Sequence, residues 1–130
     1  MAKRFLLDTH VVIEISTSEG HAALPMRVRR ILEDPEVVLL LSVVSEAEVA
    51  IKNRIGKLAL GREELATVCL SAAVESYLLR RPHVEQLFEL PLHHNDPFDR
   101  LIIATALSDD LTVISKDEQF QKYRPLRVIW

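Results

Sequence analysis

With 130 residues, 48% of them hydrophobic and 27% charged, the chain has the length and composition of one folded domain with its own core. Its longest apolar run, Val37 to Leu41, is too short to cross a bilayer, and the early acid Asp8 argues against a secretory signal. A formal charge of −3 provides no general attraction to nucleic acid, and a single cysteine excludes an internal disulfide or a thiolate zinc cluster.

The chain is expected to form one domain over residues 1–130 in a reducing cytoplasm, because it contains no linker, repeat or low-complexity segment. In chain order the predicted elements are strand 4–7, helices 11–15 and 21–33, strand 37–41, helices 42–55 and 62–72, strand 74–79, helices 82–88 and 97–107, and strands 111–115 and 127–130. Strands that alternate with helices predict an α/β fold, a three-layer α/β/α sandwich around a mainly parallel sheet.

Four acids occupy positions next to the ends of these predicted strands. Asp8 and Asp117 come just after strands, while Glu48 and Asp99 stand in the first turns of helices. Ligands of open parallel sheets bind outside the carboxyl ends of the strands, so we expect the four acids to converge at that edge. Crowded carboxylates destabilise a fold unless a cation compensates them, and oxygen ligands suit Mg²⁺ or Mn²⁺.

Helical periodicity distinguishes Glu48 from its neighbour Glu46. Glu48 falls within a predicted inward apolar stripe, and Glu46 falls on the opposite, solvated side. A buried carboxylate is costly unless something pairs with it, which favours a functional role. The alternative is a capping box with Ser45 as the N-cap and Glu48 three residues later. The stripe consists of Val44, Ala47, Ile51, Ile55 and Leu58.

The segment from His93 to Arg100 separates two further acids. Asp96 precedes a proline and is predicted to cap the helix, since proline suits the first helical position. Asp99 then heads an inward apolar row, which favours a role in the site. His93 and His94 remain structural or substrate-facing. Asp8 and Asp117 each have a simpler alternative, in which the carboxylate caps the turn or short helix that follows.

Four stretches carry a resemblance to a known family. They are Phe5 to His10, Ser45 to Leu58, Leu90 to Ala104 and Ser115 to Phe120. In these stretches the chain resembles the PIN-domain family and, more narrowly, the VapC-type toxin ribonucleases of bacterial toxin–antitoxin pairs. The resemblance is weakest between Arg62 and Glu89. Similar toxins often carry Trp at the position of Ala47, which bears on packing and partner contacts.

The resemblance implies a single PIN-like nuclease domain, a hydrolase with the family's invariant acids at Asp8, Glu48, Asp99 and Asp117. It further implies Mg²⁺-dependent cleavage of RNA, a homodimer and neutralisation by a cognate antitoxin protein. In the resulting hypothesis Asp8 and Asp99 are the main metal ligands, and the other two acids complete the catalytic site directly or through waters. The candidate substrate contacts are Thr9, Lys52, Arg100 and Lys116.

Two other interpretations stay open at this point. A receiver-like signalling domain has a similar length and Mg²⁺-binding acids that accept a phosphoryl group. Such domains place adjacent acids after the first strand, whereas Asp8 is followed by Thr9 and His10. A PIN scaffold kept only for protein binding would be expected to lose acids, and all four are present.

Overall fold

A computed structural model describes residues 3–130, which form five strands, seven α-helices and one 3-10 turn. The strands are β1 (Arg4–Leu7), β2 (Val38–Ser42), β3 (Val74–Tyr77), β4 (Thr112–Ile114) and β5 (Val128–Ile129). The helices are α1 (Thr9–Ile15), α2 (Met26–Glu33), α3 (Val43–Arg54), α4 (Arg62–Ser71), α5 (Arg81–Glu89), α6 (Pro97–Asp109) and α7 (Glu118–Gln121). Over this range no helix is long and apolar enough to span a membrane.

The sheet has the order β3-β2-β1-β4-β5, and every neighbouring pair is parallel. From the central β1 the chain first builds β2 and β3 on one side and then crosses to build β4 and β5 on the other. Open parallel sheets bind their ligands where the direction of building reverses, beyond the carboxyl ends of the strands. Asp8 follows β1 at this point, and its backbone N–H donates to Ile114 O of β4 at 3.0 Å.

Apolar side chains on alternate strand positions bury both faces of the sheet. Leu7 packs on one face with Val11 and other residues of α1 and α2, whereas Leu6 packs on the other face with Ile102 of α6 and Phe120 of α7. A strand covered on both faces reads as a continuous apolar run, which is how β1 and β2 appear in the sequence. The predicted three-layer α/β/α sandwich is therefore confirmed.

The predicted helix 21–33 is wrong in its first half. A 3-10 turn occupies Gly20–Ala23, Leu24 is extended, and α2 begins only after Pro25. Proline disfavours helical geometry in the residue before it, so the chain must interrupt the helical run at Leu24. The predicted stop after α3 is confirmed, since Gly56 has a φ of +79° that other residues rarely adopt.

The predicted inward stripe of α3 is only partly confirmed. The helix begins at Val43 with Ser42 as its N-cap, whose hydroxyl accepts the Val44 N–H at 3.0 Å. Ser45 therefore lies inside the helix, and the proposed capping box does not form. Ile51 and Ile55 are 50% and 60% exposed, and Ala47 is exposed with them. The buried positions are Val44, Ser45, Glu48 and Val49.

A buried polar network ties β3 and α5 to the last turn of α6. His83 is fully buried, and its Nε2 lies 2.7 Å from Asp109 Oδ2, which also accepts the Tyr77 hydroxyl. His83 Nδ1 accepts the Arg80 N–H at 3.0 Å, so Nε2 carries the proton and donates it to Asp109. Burial alone would raise the pKa of Asp109, but these hydrogen bonds outweigh it and lower the pKa.

Replacing Asp109 with asparagine should make the stability of the chain less sensitive to acid. A lowered folded pKa means that Asp109 contributes stability above its unfolded pKa of about 3.9 and loses it as the pH falls further. We expect urea unfolding of Asp109→Asn to show a loss of about 1–3 kcal/mol at neutral pH and a shallower decline below about pH 4. Asp110→Asn, at the exposed neighbouring residue, is the matched control. Equal pH profiles for the wild type and Asp109→Asn would contradict this role.

Candidate active site

Three of the four predicted acids are buried at the carboxyl edge of the sheet. Asp8 follows β1 and is 1% exposed, Glu48 lies in the second turn of α3 at 2%, and Asp99 lies in the first turn of α6 at 7%. Asp117 follows β4 and is only half-buried. Helix α3 contacts both α1 and α6, which brings these segments together around the end of β1.

Buried hydroxyl groups hold the backbone and side chains of this edge in place. Ser115 Oγ donates to Asp8 Oδ2 at 2.8 Å and accepts the Asp117 N–H at 3.0 Å, so it links the acids that follow β1 and β4. Thr9 Oγ1 donates to Ser45 Oγ at 2.8 Å, which joins α1 to α3. The sequence interpretation did not assign Ser45 or Ser115 to the site. The one available signal was that each serine lies close in sequence to a strand end and to a predicted acid.

Two carboxylate oxygens in this cluster are buried without a hydrogen-bond partner among residues 3–130. They are Asp8 Oδ1 and Glu48 Oε1. A buried carboxylate oxygen that lacks a partner costs free energy, and a cation or ordered water normally offsets that cost. The unpartnered oxygens therefore point to a ligand that the protein itself does not supply.

Two basic side chains, Lys52 and His10, lie close to the buried acids. Lys52 Nζ lies 2.6 Å from Glu48 Oε2, and this hydrogen bond raises the pKa of Lys52, with further contributions from Asp96 and Asp99. His10 Nδ1 lies 3.8 Å from Asp8 Oδ2. The nearby Asp8 carboxylate raises the pKa of His10 against the effect of burial, and the charges of Glu48 and Asp99 add to the rise. The three buried acids therefore act on the same histidine, which the sequence interpretation had not assigned to the site.

Asp99 shows the electrostatic crowding expected of such a cluster. Burial raises the pKa of Asp99 to about 6, and the negative charges of Asp96 and Asp8 contribute in the same direction. A hydrogen bond from His94, whose Nε2 is 3.2 Å from Asp99 Oδ2, acts in the opposite direction. Like charges that raise one another's pKa indicate a site that favours a cation.

The acids differ in whether their carboxylates cap a helix, which was the simpler alternative to a role in the site. Asp96 Oδ1 accepts the Asp99 N–H at 2.9 Å, so the predicted N-cap of α6 is confirmed. Asp117 Oδ1 accepts the Gln119 N–H at 2.9 Å and caps α7. For Asp8, within the described part of the chain, the carboxylate makes no capping bond to α1. Asp8 is thus free of the structural role that Asp117 has.

The donor atoms at this edge of the sheet suit a hard divalent cation. Among the residues from 3 to 130, no three Asp, Glu, His or Cys side chains form a ready metal site. The cluster nevertheless offers carboxylate oxygens, two of them unpartnered, which is the donor set of Mg²⁺ and Mn²⁺. Lys52 engages one oxygen of Glu48 and His94 engages one oxygen of Asp99, so the second oxygen of each acid is not used by these bonds.

The four predicted substrate contacts differ in how they are engaged. Thr9 is buried and bonded to Ser45, and Lys52 is bonded to Glu48. The Arg100 guanidinium donates to the carbonyl oxygens of Leu90 and Pro91 and to the Tyr123 hydroxyl. Lys116 is exposed, and its Nζ pairs with Glu14 Oε1 at 3.0 Å. The two lysines have partners that a phosphate could replace, whereas Arg100 fastens the loop before α6.

A cleft of about 530 Å³ lies between α3 and α4, away from the buried acids. Its walls include Val49, Leu60, Leu65 and Cys69, and none of the four predicted acids lines it. Glu46 is the one carboxylate among its lining residues, so this cleft lacks the clustered acids that a metal-dependent cleavage of a phosphodiester needs. The carboxylate cluster is therefore the better candidate for the active site.

Comparison with known proteins gives a family match over nearly the whole chain. The family model described as PIN domain matches residues 5–125. A search of curated proteins found no significant match to the sequence.

Several solved structures have the same fold. VapBC2 from Rickettsia felis, bound to a DNA fragment from its promoter, is 13% identical, with a TM-score of 0.74 and 97% of each chain covered. DNA-bound VapBC from Salmonella typhimurium is 20% identical, with a TM-score of 0.69 over 99% of this chain and 98% of that one. FitAcB from Neisseria gonorrhoeae is 20% identical, with a TM-score of 0.63 over 97% and 96% of the two chains.

Proposed function

Because this chain belongs to the PIN-domain family, we propose that it is a VapC-type toxin, a Mg²⁺-dependent endoribonuclease that a cognate antitoxin neutralises. The observation that carries the proposal is the burial of Asp8, Glu48 and Asp99 in one electrostatic neighbourhood beyond β1. Buried acids are rare in proteins unless they are paired or coordinate a metal. Their position at the reversal point of a parallel sheet is where such folds bind ligands.

In this proposal Asp8 and Asp99 would hold Mg²⁺, or Mn²⁺ in its place, and Glu48 and Asp117 would complete the site directly or through waters. The bound ion would supply a water of lowered pKa and would offset negative charge on the phosphate that is cut. The protein contributes position and electrostatics: Ser115 orients Asp8, and the capping bond of Asp117 fixes its carboxylate beside β4. The hydrogen bond from Thr9 to Ser45 holds α1 against α3.

RNA binding by a chain of charge −3 must depend on local cations and on the bound metal. Lys52 and Lys116 are the proposed backbone contacts, because each can exchange a carboxylate for a phosphate oxygen. Arg100 was also predicted to touch substrate, and we now assign it to the loop that it fastens through Leu90 and Pro91.

The proposed protein partners are a cognate antitoxin and a second copy of the chain. The solved structures of similar fold include toxin–antitoxin complexes, among them one from Klebsiella pneumoniae. Large apolar side chains are exposed on α3, at its C-terminal end and on α5, in particular Ile51, Ile55, Val84 and Phe88. Exposed apolar groups of this kind are typical of surfaces that a partner covers.

A receiver-like phosphoacceptor is not supported by the fold. Receiver-like sheets have the order 2-1-3-4-5, whereas this sheet has the order β3-β2-β1-β4-β5. In addition, β2 ends in Ser42, whose hydroxyl caps α3. The family match over residues 5–125 agrees with this exclusion.

The decisive test is incubation of the purified chain with total RNA in the presence of Mg²⁺, of Mn²⁺ or of a chelator, followed by mapping of the new ends. Mass spectrometry should first show that the preparation is free of antitoxin. We expect defined RNA ends with either metal and intact RNA with the chelator. Folded, antitoxin-free protein that leaves all RNA intact in both metals would contradict the proposed function.

A further inference from the structure

The hydroxyl group of Tyr123 is a hydrogen-bonding centre behind the candidate metal site. Tyr123 follows α7 and is 1% exposed, so its ring belongs to the core beneath α6. Its oxygen accepts two N–H groups, the backbone N–H of His94 at 3.1 Å and Arg100 Nη1 at 3.1 Å. These two donors come from the loop before α6 and from α6 itself.

The pattern of donors determines where the hydroxyl proton of Tyr123 goes. A phenol group donates one hydrogen bond, and its two accepting positions are already used by the N–H groups. The possible acceptors are His94 Nδ1 at 2.7 Å and the His94 carbonyl oxygen at 3.5 Å. The shorter contact has the better hydrogen-bond geometry, so His94 Nδ1 is the acceptor.

A neutral imidazole that accepts at Nδ1 carries its proton on Nε2. His94 Nε2 lies 3.2 Å from Asp99 Oδ2, which is therefore the acceptor of that proton in a hydrogen bond. Asp99 is thus held twice. Its backbone N–H donates to Asp96, and one side-chain oxygen accepts from His94, which leaves the other oxygen for a cation.

We propose that Tyr123 is a positioning residue, which selects the Nε2–H tautomer of His94 and so orients the carboxylate of Asp99. The hydrogen bonds from Tyr123 through His94 to Asp99 join side chains whose orientations are already restricted by packing. The ring of His94 lies edge-on to Tyr123 at 5.4 Å between centroids. The metal-binding consequence depends on the proposed function, whereas the tautomer of His94 does not.

Partners that orient a metal ligand from behind affect affinity or activity by about 10–100-fold when they are removed. Tyr123→Phe removes only the hydroxyl, so Nδ1 loses its donor and the imidazole can take either tautomer or turn. The expected consequence is a weaker Mn²⁺ site without any change in the ligands themselves.

Two substitutions of His94 distinguish the hydrogen bond that orients Asp99 from the space that the imidazole ring fills. In His94→Gln the amide nitrogen reaches the position of Nε2 and can still donate to Asp99. In His94→Asn the amide oxygen reaches the position of Nδ1, so the contact with Tyr123 remains while that with Asp99 is lost. His93→Gln is the matched control, because His93 touches the Tyr123 ring at 4.8 Å between centroids and has no bond to Asp99 within residues 3–130.

The first measurement is a long-range ¹H–¹⁵N spectrum of the metal-free full-length chain at about pH 8, where free imidazole is neutral. We expect His94 protonated on Nε2 in the wild type and a mixed or altered state in Tyr123→Phe. A wild-type His94 that carries its proton on Nδ1 would overturn the proposal, whatever the metal affinities are.

The second measurement is the Mn²⁺ dissociation constant by electron paramagnetic resonance. We expect it to rise about 10–100-fold in Tyr123→Phe and His94→Asn and to stay near wild type in His94→Gln and His93→Gln. Equal losses in His94→Gln and His94→Asn would overturn the orienting role, and this pair decides the matter even if Tyr123→Phe fails to fold. A wild type that binds no Mn²⁺ would refute the proposed metal site, while the spectrum would still decide the tautomer.

Discussion

Replacing Asp8 with asparagine should lower Mg²⁺-dependent RNA cleavage by about 1,000-fold or more, with the fold unchanged. A metal-bound water and the charge stabilisation that accompanies it are worth several kcal/mol, and each 1.36 kcal/mol changes a rate tenfold. The asparagine carbonyl can still accept the hydrogen bond that Ser115 donates to Asp8 at 2.8 Å. What disappears is the negative charge and one anionic oxygen that is buried without a partner among residues 3–130.

The measurement is the single-turnover cleavage rate of a mapped RNA at saturating Mg²⁺, with circular dichroism as the check on folding. Asp34→Asn is the matched control, since this exposed Asp accepts the Glu36 N–H at 2.8 Å, a bond that asparagine can also make. We expect the control to cleave like the wild type. An Asp8→Asn variant with full activity would show that Asp8 does not hold the catalytic ion.

Much of the fold can be read from the sequence because its signals are local. The run from Val37 to Leu41 predicts a strand buried on both faces, and Asp96 before Pro97 predicts the start of α6. Each depends on neighbouring residues alone. The order of strands in the sheet has no such local signal, yet it decides that Asp8 and Ser115 lie side by side.

The error in α3 has a physical cause. The prediction assumed that an apolar stripe on a helix faces the protein's own core, and Ile51 and Ile55 are exposed instead. The buried side of α3 carries Ser45 and Glu48, because it faces the hydroxyl of Thr9 and the other acids. The usual pattern, with apolar residues inside and polar residues outside, therefore holds only in part for this helix, which also buries Val44 and Val49. The burial of Glu48 was therefore predicted correctly for a reason that was only partly right.

The support behind the acids could not be found from the sequence. Tyr123 and His94 are 29 residues apart, and Ser115 and Asp8 are 107 residues apart. Each pair meets only because strands and helices far apart in the chain pack together. Tyrosine and serine also occur in many structural roles outside functional sites, so their residue types alone carry no signal of a site. Among the four predicted acids, only the fold distinguishes the three that are buried from Asp117, which caps α7.

The second large effect should appear in stability rather than in activity. In the presence of a chelator, Asp99→Asn should be more stable than the wild type at neutral pH, because burial and the charges of Asp96 and Asp8 raise the pKa of Asp99 to about 6. An acid with a raised folded pKa loses stabilising free energy as the pH rises from its unfolded value of about 3.9 to its folded value, and the loss is complete above it. Permanent neutralisation removes that loss, and we expect a gain of about 1–3 kcal/mol at pH 7.

Added Mg²⁺ should narrow or reverse this difference in stability. An ion that binds only the folded chain stabilises it by about 2.7 kcal/mol at a concentration 100-fold above its dissociation constant, and Asp99→Asn should gain much less. Urea unfolding at pH 7 with chelator and with Mg²⁺ measures both effects, and Asp34→Asn should follow the wild type in each. A wild type whose unfolding midpoint does not respond to Mg²⁺ at concentrations that support cleavage would contradict a metal site at these acids. The same crowded negative charge lowers the stability of the metal-free protein and favours the binding of Mg²⁺. When Asp99 is neutralised, stability in chelator should therefore rise while affinity for Mg²⁺ falls.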